Sequence, residues 1–172
     1  GLMGCCVMRR VVAFSVLLVA GCQTAEPVKV AAPFDAAEAA FIRKEGTARI
    51  DGHAFLKKPN GSVMNAAGER VWLIPATAYA KERMAALYKG QKFAPAGSIA
   101  AQPGTDPRYM EFTRSTKAES SGRFTFDKVA PGSYFLATTI TWKDSETDVV
   151  ARGGSVYETV TVTAKEDRII KV

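Results

Sequence analysis

Histidine is almost missing from this sequence: His53 is the only one among 172 residues. A single imidazole excludes sites that need two, including most structural zinc sites and paired histidine proton relays. The sequence also lacks a Gly-x-Ser-x-Gly nucleophile elbow and a glycine-rich phosphate loop that opens a helix. We therefore predict that the protein is not an enzyme and that it has no catalytic residue, no cofactor and no metal ion. His53 itself lies on the polar side of a predicted strand, where a solvated imidazole is expected.

Long hydrophobic runs are missing too. The longest uncharged apolar stretch, Val11 to Ala20, has ten residues. As a helix it would rise about 15 Å, whereas a bilayer core needs roughly 30 Å. Arg9 and Arg10 precede it, and this order of basic and then apolar residues is typical of a secretory signal. We predict a signal peptide over residues 1–21, with residues 1–7 interpreted as upstream sequence or a start-site error.

The stretch Val19-Ala20-Gly21-Cys22 closes this segment and resembles the lipobox of bacterial lipoprotein precursors. The resemblance implies that the chain is cut before Cys22 and that its thiol and new amine carry fatty acyl chains such as palmitate. Gln23, in place of aspartate, implies sorting to the outer membrane. The predicted partner is thus the membrane, through acyl chains on Cys22. Cleavage would leave Cys22 as the only cysteine, which excludes a disulfide framework.

The rest of the chain changes from a proline-punctuated tether, residues 22–33, to one domain over residues 34–172. Capping residues predict a short helix from Asp35 to Glu45, and Thr77 begins a second helix through about Lys89. Period-two patterns predict seven strands, near residues 47–54, 69–74, 109–117, 123–129, 133–142, 156–163 and 168–172. The breaker-rich stretch 91–107 is predicted to be irregular. The fold class is therefore mostly β, an antiparallel β-sandwich of about seven strands with one or two short helices.

Two segments resemble the carboxypeptidase regulatory-like domains: Ser121-Gly122-Arg123-Phe124-Thr125-Phe126, and Val129-Ala130-Pro131-Gly132-Ser133-Tyr134-Phe135-Leu136. The resemblance covers roughly residues 46–172 and implies a transthyretin-like (prealbumin-like) sandwich. Such domains are usually noncatalytic modules that assist folding or contact partners. The segment 76–107 departs from the family pattern and is interpreted as an insertion.

Two short motifs have both a chemical and a structural interpretation. Asp144, Glu146 and Asp148 occupy every second position, so an extended chain would place three carboxylates on one side, where they could bind a calcium ion. This stretch lacks the glycine and the distal glutamate of an EF-hand loop. The simpler interpretation is that the three carboxylates are solvated. Arg152-Gly153-Gly154-Ser155 weakly resembles the Tyr-Arg-Gly-Ser ending of transthyretin-like hydrolases, and we predict a turn or bulge there instead.

The leading functional hypothesis is a noncatalytic outer-membrane lipoprotein that acts as an interaction or scaffolding module in the cell envelope. Its predicted contact surface is the insertion, where aromatic residues stand among basic ones: Tyr79, Tyr88 and Phe93 with Lys81, Arg83, Lys89 and Lys92. The structural alternative is a helix that covers an open end of the sandwich. The alternative function is glycan or peptidoglycan binding, in which an exposed Trp72 or Trp142 stacks on sugar. No nucleic-acid partner is expected, because the net charge of +6 is scattered along the chain.

Overall fold

The computed structural model describes residues 29–99, 105–164 and 169–171. The predicted signal peptide and Cys22 lie outside these residues. Three α-helices in this part of the chain are α1 (Ala36–Ala39), α2 (Ala78–Tyr88) and α3 (Arg108–Glu111). The strands are β1 (Glu45–His53), β2 (Phe55–Lys57), β3 (Val63–Asn65), β4 (Arg70–Pro75), β5 (Phe93–Pro95), β6 (Arg114–Lys117), β7 (Arg123–Val129), β8 (Gly132–Trp142), β9 (Arg152–Val162) and β10 (Ile169–Lys171). None of the described helices is long and apolar enough to cross a bilayer.

Two sheets and a separate hairpin make up the β structure. The larger sheet has the order β5-β9-β8-β4-β6, the smaller has the order β10-β1-β7, and β2 pairs only with β3. Every pairing is antiparallel except that of β1 with β10, which is parallel. The fold is therefore mostly β and an antiparallel sandwich, as the sequence predicts.

The main core lies between the two sheets. Alternate residues of β4 and β8 point into it, among them Val71, Leu73 and Tyr134, which are at most 1% exposed. Ile50 of β1 and Phe126 of β7 meet them from the smaller sheet. In these strands, buried and exposed residues alternate in the structure as apolar and polar residues alternate in the sequence. The alternation predicts each of these strands correctly.

A second apolar layer covers the other face of the larger sheet. Ile74 of β4 and Phe135 of β8 pack there against Tyr79, Met84 and Tyr88 of α2. Tyr79 and Tyr88 are each only 5% exposed. The predicted contact surface on the insertion is therefore wrong for these two residues, because a half-apolar helix is held here by burying its aromatic side chains. The structural alternative, a helix that covers an open end of the sandwich, is correct in making α2 a packed helix, but α2 lies on the face of the larger sheet and not at an open end.

The N-terminal helix is shorter than predicted. Asp35 caps α1, since its Oδ1 accepts hydrogen bonds from the amides of Ala37 and Glu38 at 2.8 and 3.4 Å. A 3-10 turn, Ala40–Arg43, follows, and β1 already begins at Glu45. The predicted tether over residues 22–33 is also too long, because Val30 packs against the second layer.

Contacts with distant parts of the chain change three more predictions. The predicted strand 109–117 is helix α3 followed by the short β6, because Tyr109 turns into the second layer and is 6% exposed. The stretch 91–107, predicted to be irregular, contains β5, which adds to the edge of β9. The hairpin of β2 and β3 is absent from the prediction. It turns at Pro59-Asn60-Gly61, where the amide of Gly61 bonds the carbonyl of Lys58 at 2.9 Å.

Candidate functional site

A cleft of about 310 Å³ opens between the hairpin and the β5 edge of the larger sheet. We call it the Phe93 cleft. Its volume is at the lower end of the roughly 300–1,000 Å³ range of ligand pockets. Phe55 of β2 and Phe93 of β5 line it from different elements, and each ring is 40% exposed. Two large aromatic side chains left in water around one concave surface are typical of a binding site.

The hairpin wall is set by a break between β1 and β2. Ala54 separates the strands: its amide bonds the carbonyl of Gly122, and its carbonyl accepts the amide of Ala66. The chain therefore leaves the smaller sheet at this point, which brings His53 and Phe55 side by side with ring centroids 4.9 Å apart. Both side chains remain exposed on the cleft.

His53 is the polar group on this wall. Its Nε2 lies 3.0 Å from Oδ1 of Asn65. Because an amide oxygen accepts hydrogen bonds, Nε2 is assigned as the donor in this contact. The prediction of a solvated His53 is confirmed in its exposure, while the contacts with Asn65 and Phe55 are additions from the structure.

The opposite wall is built by β5 and β9. Phe93 pairs with Val156, and the next two residues of β9 are Tyr157 and Glu158. Lys92 Nζ lies 3.3 Å from Oε2 of Glu158 and 4.8 Å from the centroid of the Tyr157 ring. One ammonium and one carboxylate therefore stand beside an aromatic ring at this rim.

Helix α2 supports that rim from below. The ring of Tyr88 meets Tyr157 with centroids 4.5 Å apart, and Phe135 meets Tyr157 from the sheet at 5.7 Å. Burial raises the pKa of the Tyr88 hydroxyl to about 12. The insertion thus contributes to the site by positioning Tyr157, and only Phe93 and Lys92 of its predicted contact residues line the cleft.

A second cleft, of about 340 Å³, adjoins the first. We call it the Trp142 cleft. Phe93 lines both clefts, and the remaining walls come from Leu56 and Lys57 of β2 and from Trp142 and Arg152. Lys58 Nζ lies 5.1 Å from the centroid of the Trp142 ring. Trp142 is one of the two tryptophans predicted to stack on sugar. It is half-buried and lines this cleft.

Trp72 has a different environment. It is half-buried and packs in the second layer, with the guanidinium of Arg70 5.7 Å from its ring centroid. It lines neither cleft, because it alternates with Val71 and Leu73 and so points to the opposite face of β4. Trp72 is thus not part of the candidate site.

Two of the three alternating carboxylates, Asp144 and Asp148, are engaged in other ways. Asp144 pairs with Arg152 at 2.9 Å and with Lys58 at 3.8 Å. Asp148 accepts hydrogen bonds from the amides of Asp144 and Ser145 at 3.0 and 3.2 Å. Within residues 29–99, 105–164 and 169–171, no three metal-ligating side chains come together. The calcium interpretation therefore has no geometric support in this loop, whose carboxylates neutralise cations and close a turn.

Arg152 to Ser155 forms the start of β9 and is not a turn, so this prediction is wrong. These residues pair with residues 139–142 of β8, in a register that continues to the end of the strand. The glycines serve close packing: a Cβ on Gly153 would lie 2.2 Å from the carbonyl oxygen of Ile140, and its φ of +85° favours glycine. Arg152 and Gly153 of this motif line the Trp142 cleft.

Sequence reasoning missed Phe55 and Tyr157 as residues of the site. Neither stands in a motif, and each becomes part of the cleft only because distant strands bring it there. An available signal was the position of Phe55 directly after the predicted strand 47–54, where a large apolar side chain has little core to reach.

Comparison with known proteins identifies a solved structure of the same fold. No family model matches the sequence, and no curated protein matches it. The chain is similar to a crystal structure from Pseudomonas aeruginosa that is described as a "putative carbohydrate binding protein", with a TM-score of 0.68 and 28% sequence identity. The similarity covers 84% of this chain and 97% of that one. The two proteins share the same β-sandwich fold over nearly the whole neighbour.

Proposed function

We propose that this protein binds carbohydrate in the Phe93 cleft. The observation that carries the proposal is the pair of exposed rings, Phe55 and Phe93, in one cleft whose rim holds His53, Lys92 and Glu158. The similarity to a protein described as carbohydrate binding supports the same function. Glycan binding, the alternative predicted from the sequence, therefore replaces scaffolding as the first hypothesis, since the scaffolding surface depended on buried tyrosines.

The chemistry of a sugar ring matches this mixture of groups. The C–H-bearing face of a pyranose is apolar and packs on an aromatic face, while its hydroxyl edges both donate and accept hydrogen bonds. The imidazole of His53 supplies a polar ring edge, Lys92 a donor and Glu158 an acceptor. The aromatic part of the site is already positioned. Tyr157 packs against the rings of Tyr88 and Phe135, and Phe93 is paired with Val156 of β9.

The test is a binding screen of the purified full chain against immobilised oligosaccharides, neutral and acidic, of one to six sugars. Phe93→Ala is the main variant, and Phe55→Ala probes the facing wall. Met110→Ala is the matched control, because Met110 is an apolar side chain of similar exposure, 48%, that lines neither cleft. Each variant is checked for an unchanged β-sheet circular dichroism spectrum.

The proposal predicts binding of at least one glycan by the wild-type chain and by Met110→Ala. Removal of either phenylalanine is expected to weaken that binding roughly tenfold or more, as loss of a central aromatic anchor does. If no glycan in the panel binds, or if both phenylalanine variants bind as the wild type does, the cleft is not a carbohydrate site.

We further propose that the domain is displayed in the cell envelope as a lipoprotein anchored at the outer membrane through Cys22. The support is the order of Arg9 and Arg10, the short apolar run and Val19-Ala20-Gly21-Cys22. Two or more acyl chains make such anchoring stable without a transmembrane helix. The resemblance of residues 46–172 to carboxypeptidase regulatory-like domains belongs to the same proposal, since such modules are usually noncatalytic.

Cysteine substitutions separate this proposal from simple export. Cys22→Ser is expected to accumulate as an unprocessed precursor or to leave the outer-membrane fraction, whereas Cys5→Ser is expected to have no effect. Fractionation and metabolic labelling with a fatty acid measure both outcomes. A Cys22→Ser protein that is still labelled and still in the outer membrane would show that the lipobox interpretation is wrong.

A further inference from the structure

The Phe93 cleft and the Trp142 cleft form one groove. Both clefts have β2 on one side, with Phe55 in the first and Leu56 and Lys57 in the second, and both are bounded by Phe93. Along β9 the first cleft takes Val156 to Glu158, and the second takes Arg152 and Gly153. The four residue steps of β9 from Gly153 to Tyr157 span about 13 Å. One pyranose ring is too short to fill this distance, so a single ligand in both clefts must be an oligosaccharide.

The two clefts differ in charge. At the first rim, the ammonium of Lys92 is balanced by the carboxylate of Glu158. The second cleft is lined by the cations Lys57 and Arg152, and no described carboxylate lines it. Asp144 lies outside this lining and pairs with Arg152 and with Lys58. Because Arg152 is neutralised by Asp144, Lys57 is the cation that makes this end of the groove positive.

Lys57 is the cation that is best placed to meet a ligand. Its side chain is exposed on β2, and no ion pair of Lys57 is found within the described part of the chain. Ammonium groups favour ligands that carry carboxylate, sulfate or phosphate. Since the Trp142 ring lines the same cleft, the ligand there needs an apolar face and an anionic edge together.

We propose that the Trp142 cleft is a second subsite and that the groove takes an acidic oligosaccharide. In this arrangement, which rests on the function proposed above, a neutral or acidic sugar packs between Phe55 and Phe93. A sugar that bears a carboxylate, of the uronic-acid type, then packs on Trp142 with its carboxylate at Lys57.

The test uses tetrasaccharide pairs that differ only in oxidation at C6. Cellotetraose is compared with the β-1,4-linked glucuronate tetramer, and β-1,4-mannotetraose with the corresponding mannuronate tetramer, by calorimetry with the purified full chain. The acidic member of at least one pair is expected to bind roughly tenfold more tightly at low salt. That preference is expected to shrink as the salt concentration rises, because screening weakens exposed charge pairs.

Two variants locate the subsite. Trp142→Ala is expected to weaken binding of the acidic tetramer roughly tenfold. Lys57→Ala is expected to weaken it about threefold to fivefold at low salt, with little change for the neutral tetramer. Lys57 is exposed, so its variant is informative even if Trp142→Ala does not fold. Lys81→Ala is the matched control, because it removes the same charge from the exposed face of α2.

The outcomes separate the two proposals. If a glycan binds and Phe93→Ala weakens it, while neutral and acidic tetramers bind equally and Lys57→Ala has no effect, the second subsite is wrong and the carbohydrate site stands. If no member of any pair binds and the glycan panel is also negative, both proposals are wrong. Acidic monosaccharides that bind as tightly as the tetramers would also overturn the inference, because they would show that one cleft is sufficient.

Discussion

Glu38 accepts a hydrogen bond through its Oε1 from the backbone amide of Ala78 at 2.8 Å, although 40 residues separate them. Ala78 is the first residue of α2, and the side chain of Thr77 bonds the amide of Ala80 at 3.2 Å. In the other direction, Oε2 of Glu82 accepts hydrogen bonds from the amides of Ala31 and Ala32, at 2.8 and 3.0 Å. The N-terminal segment and α2 therefore satisfy each other's free amides, and this attaches the second layer to the chain that precedes the sandwich.

Glu38→Ala is expected to lower the free energy of unfolding by about 1 kcal/mol, because it removes a charged acceptor from the N-terminus of α2. Glu38→Gln keeps an oxygen at the same position, so its loss should be smaller. Glu119→Ala is the control, since this exposed glutamate lies in a turn far from any helix start. Denaturant unfolding measures all three variants. Equal stability of Glu38→Ala and Glu119→Ala would mean that the hydrogen bond to Ala78 contributes nothing.

Gly153→Ala tests the close packing beneath the Trp142 cleft. A methyl group there would meet the carbonyl oxygen of Ile140 at 2.2 Å and the ring of Trp142 at 2.6 Å. Gly97 has a similar φ, +81°, but nothing lies within 4 Å of its added Cβ. Gly97→Ala is therefore expected to cost about 1 kcal/mol, from backbone strain alone. Gly153→Ala should cost roughly 3 kcal/mol or more, because overpacking adds to that strain.

Thermal unfolding and tryptophan fluorescence measure this difference. The fluorescence should change in Gly153→Ala, since Trp142 must move, and stay constant in Gly97→Ala. Similar stabilities for the two variants would show that the strand and Trp142 yield to the methyl group without cost.

Alkaline pH should destabilise the fold through its buried tyrosines. Burial raises the pKa values of Tyr88, Tyr109 and Tyr134 to about 12. In the unfolded chain a tyrosine has a pKa of about 10. Between pH 10 and 12 the unfolded state thus binds fewer protons than the folded state, so the free energy of unfolding falls as the pH rises. The stability that each of the three groups contributes is fully present below pH 10 and is lost between pH 10 and 12, by at most about 1 kcal/mol per pH unit.

Tyr134→Phe isolates one of these groups. The Tyr134 hydroxyl is fully buried and donates to the carbonyl of Ala130 at 2.5 Å, so its loss should cost about 1 kcal/mol at neutral pH. The same variant should lose less stability than the wild type between pH 10 and 12. Denaturant unfolding across this range, with tyrosinate absorbance as a second readout, provides the measurement. An unchanged pH slope would contradict the role assigned to Tyr134.

Much of the sandwich could be predicted because its strands carry their own signal. In β4, Val71 and Leu73 face the core and Ile74 faces the other way, as the alternation of the sequence predicts. In β8, the same alternation predicts that Leu136 and Ile140 share the core face. The N-cap at Asp35 was predicted for a similar reason, since a capping side chain acts on amides two and three residues away.

The candidate site could be predicted only in part. The sequence predicts Phe93 as a contact residue because it is an aromatic residue among basic ones, and it predicts Trp142, together with Trp72, as a tryptophan that could stack on sugar. Tyr79 and Tyr88 also stand among basic residues in the sequence, but they are buried. The neighbouring residues do not distinguish an aromatic ring that faces solvent from one that packs on a sheet.

The sequence by itself determined the period-two strands, the turn residues between them, the main caps and the Val19-Ala20-Gly21-Cys22 motif, all of which act over a few neighbouring residues. Only the tertiary structure decided that β5 joins β9, that the hairpin of β2 and β3 stands apart, and that Phe55, Phe93 and Tyr157 surround one cleft. The physical reason is that the edge of a strand offers the same unpaired amides and carbonyls to any partner. Which segment takes them depends on how the whole core packs.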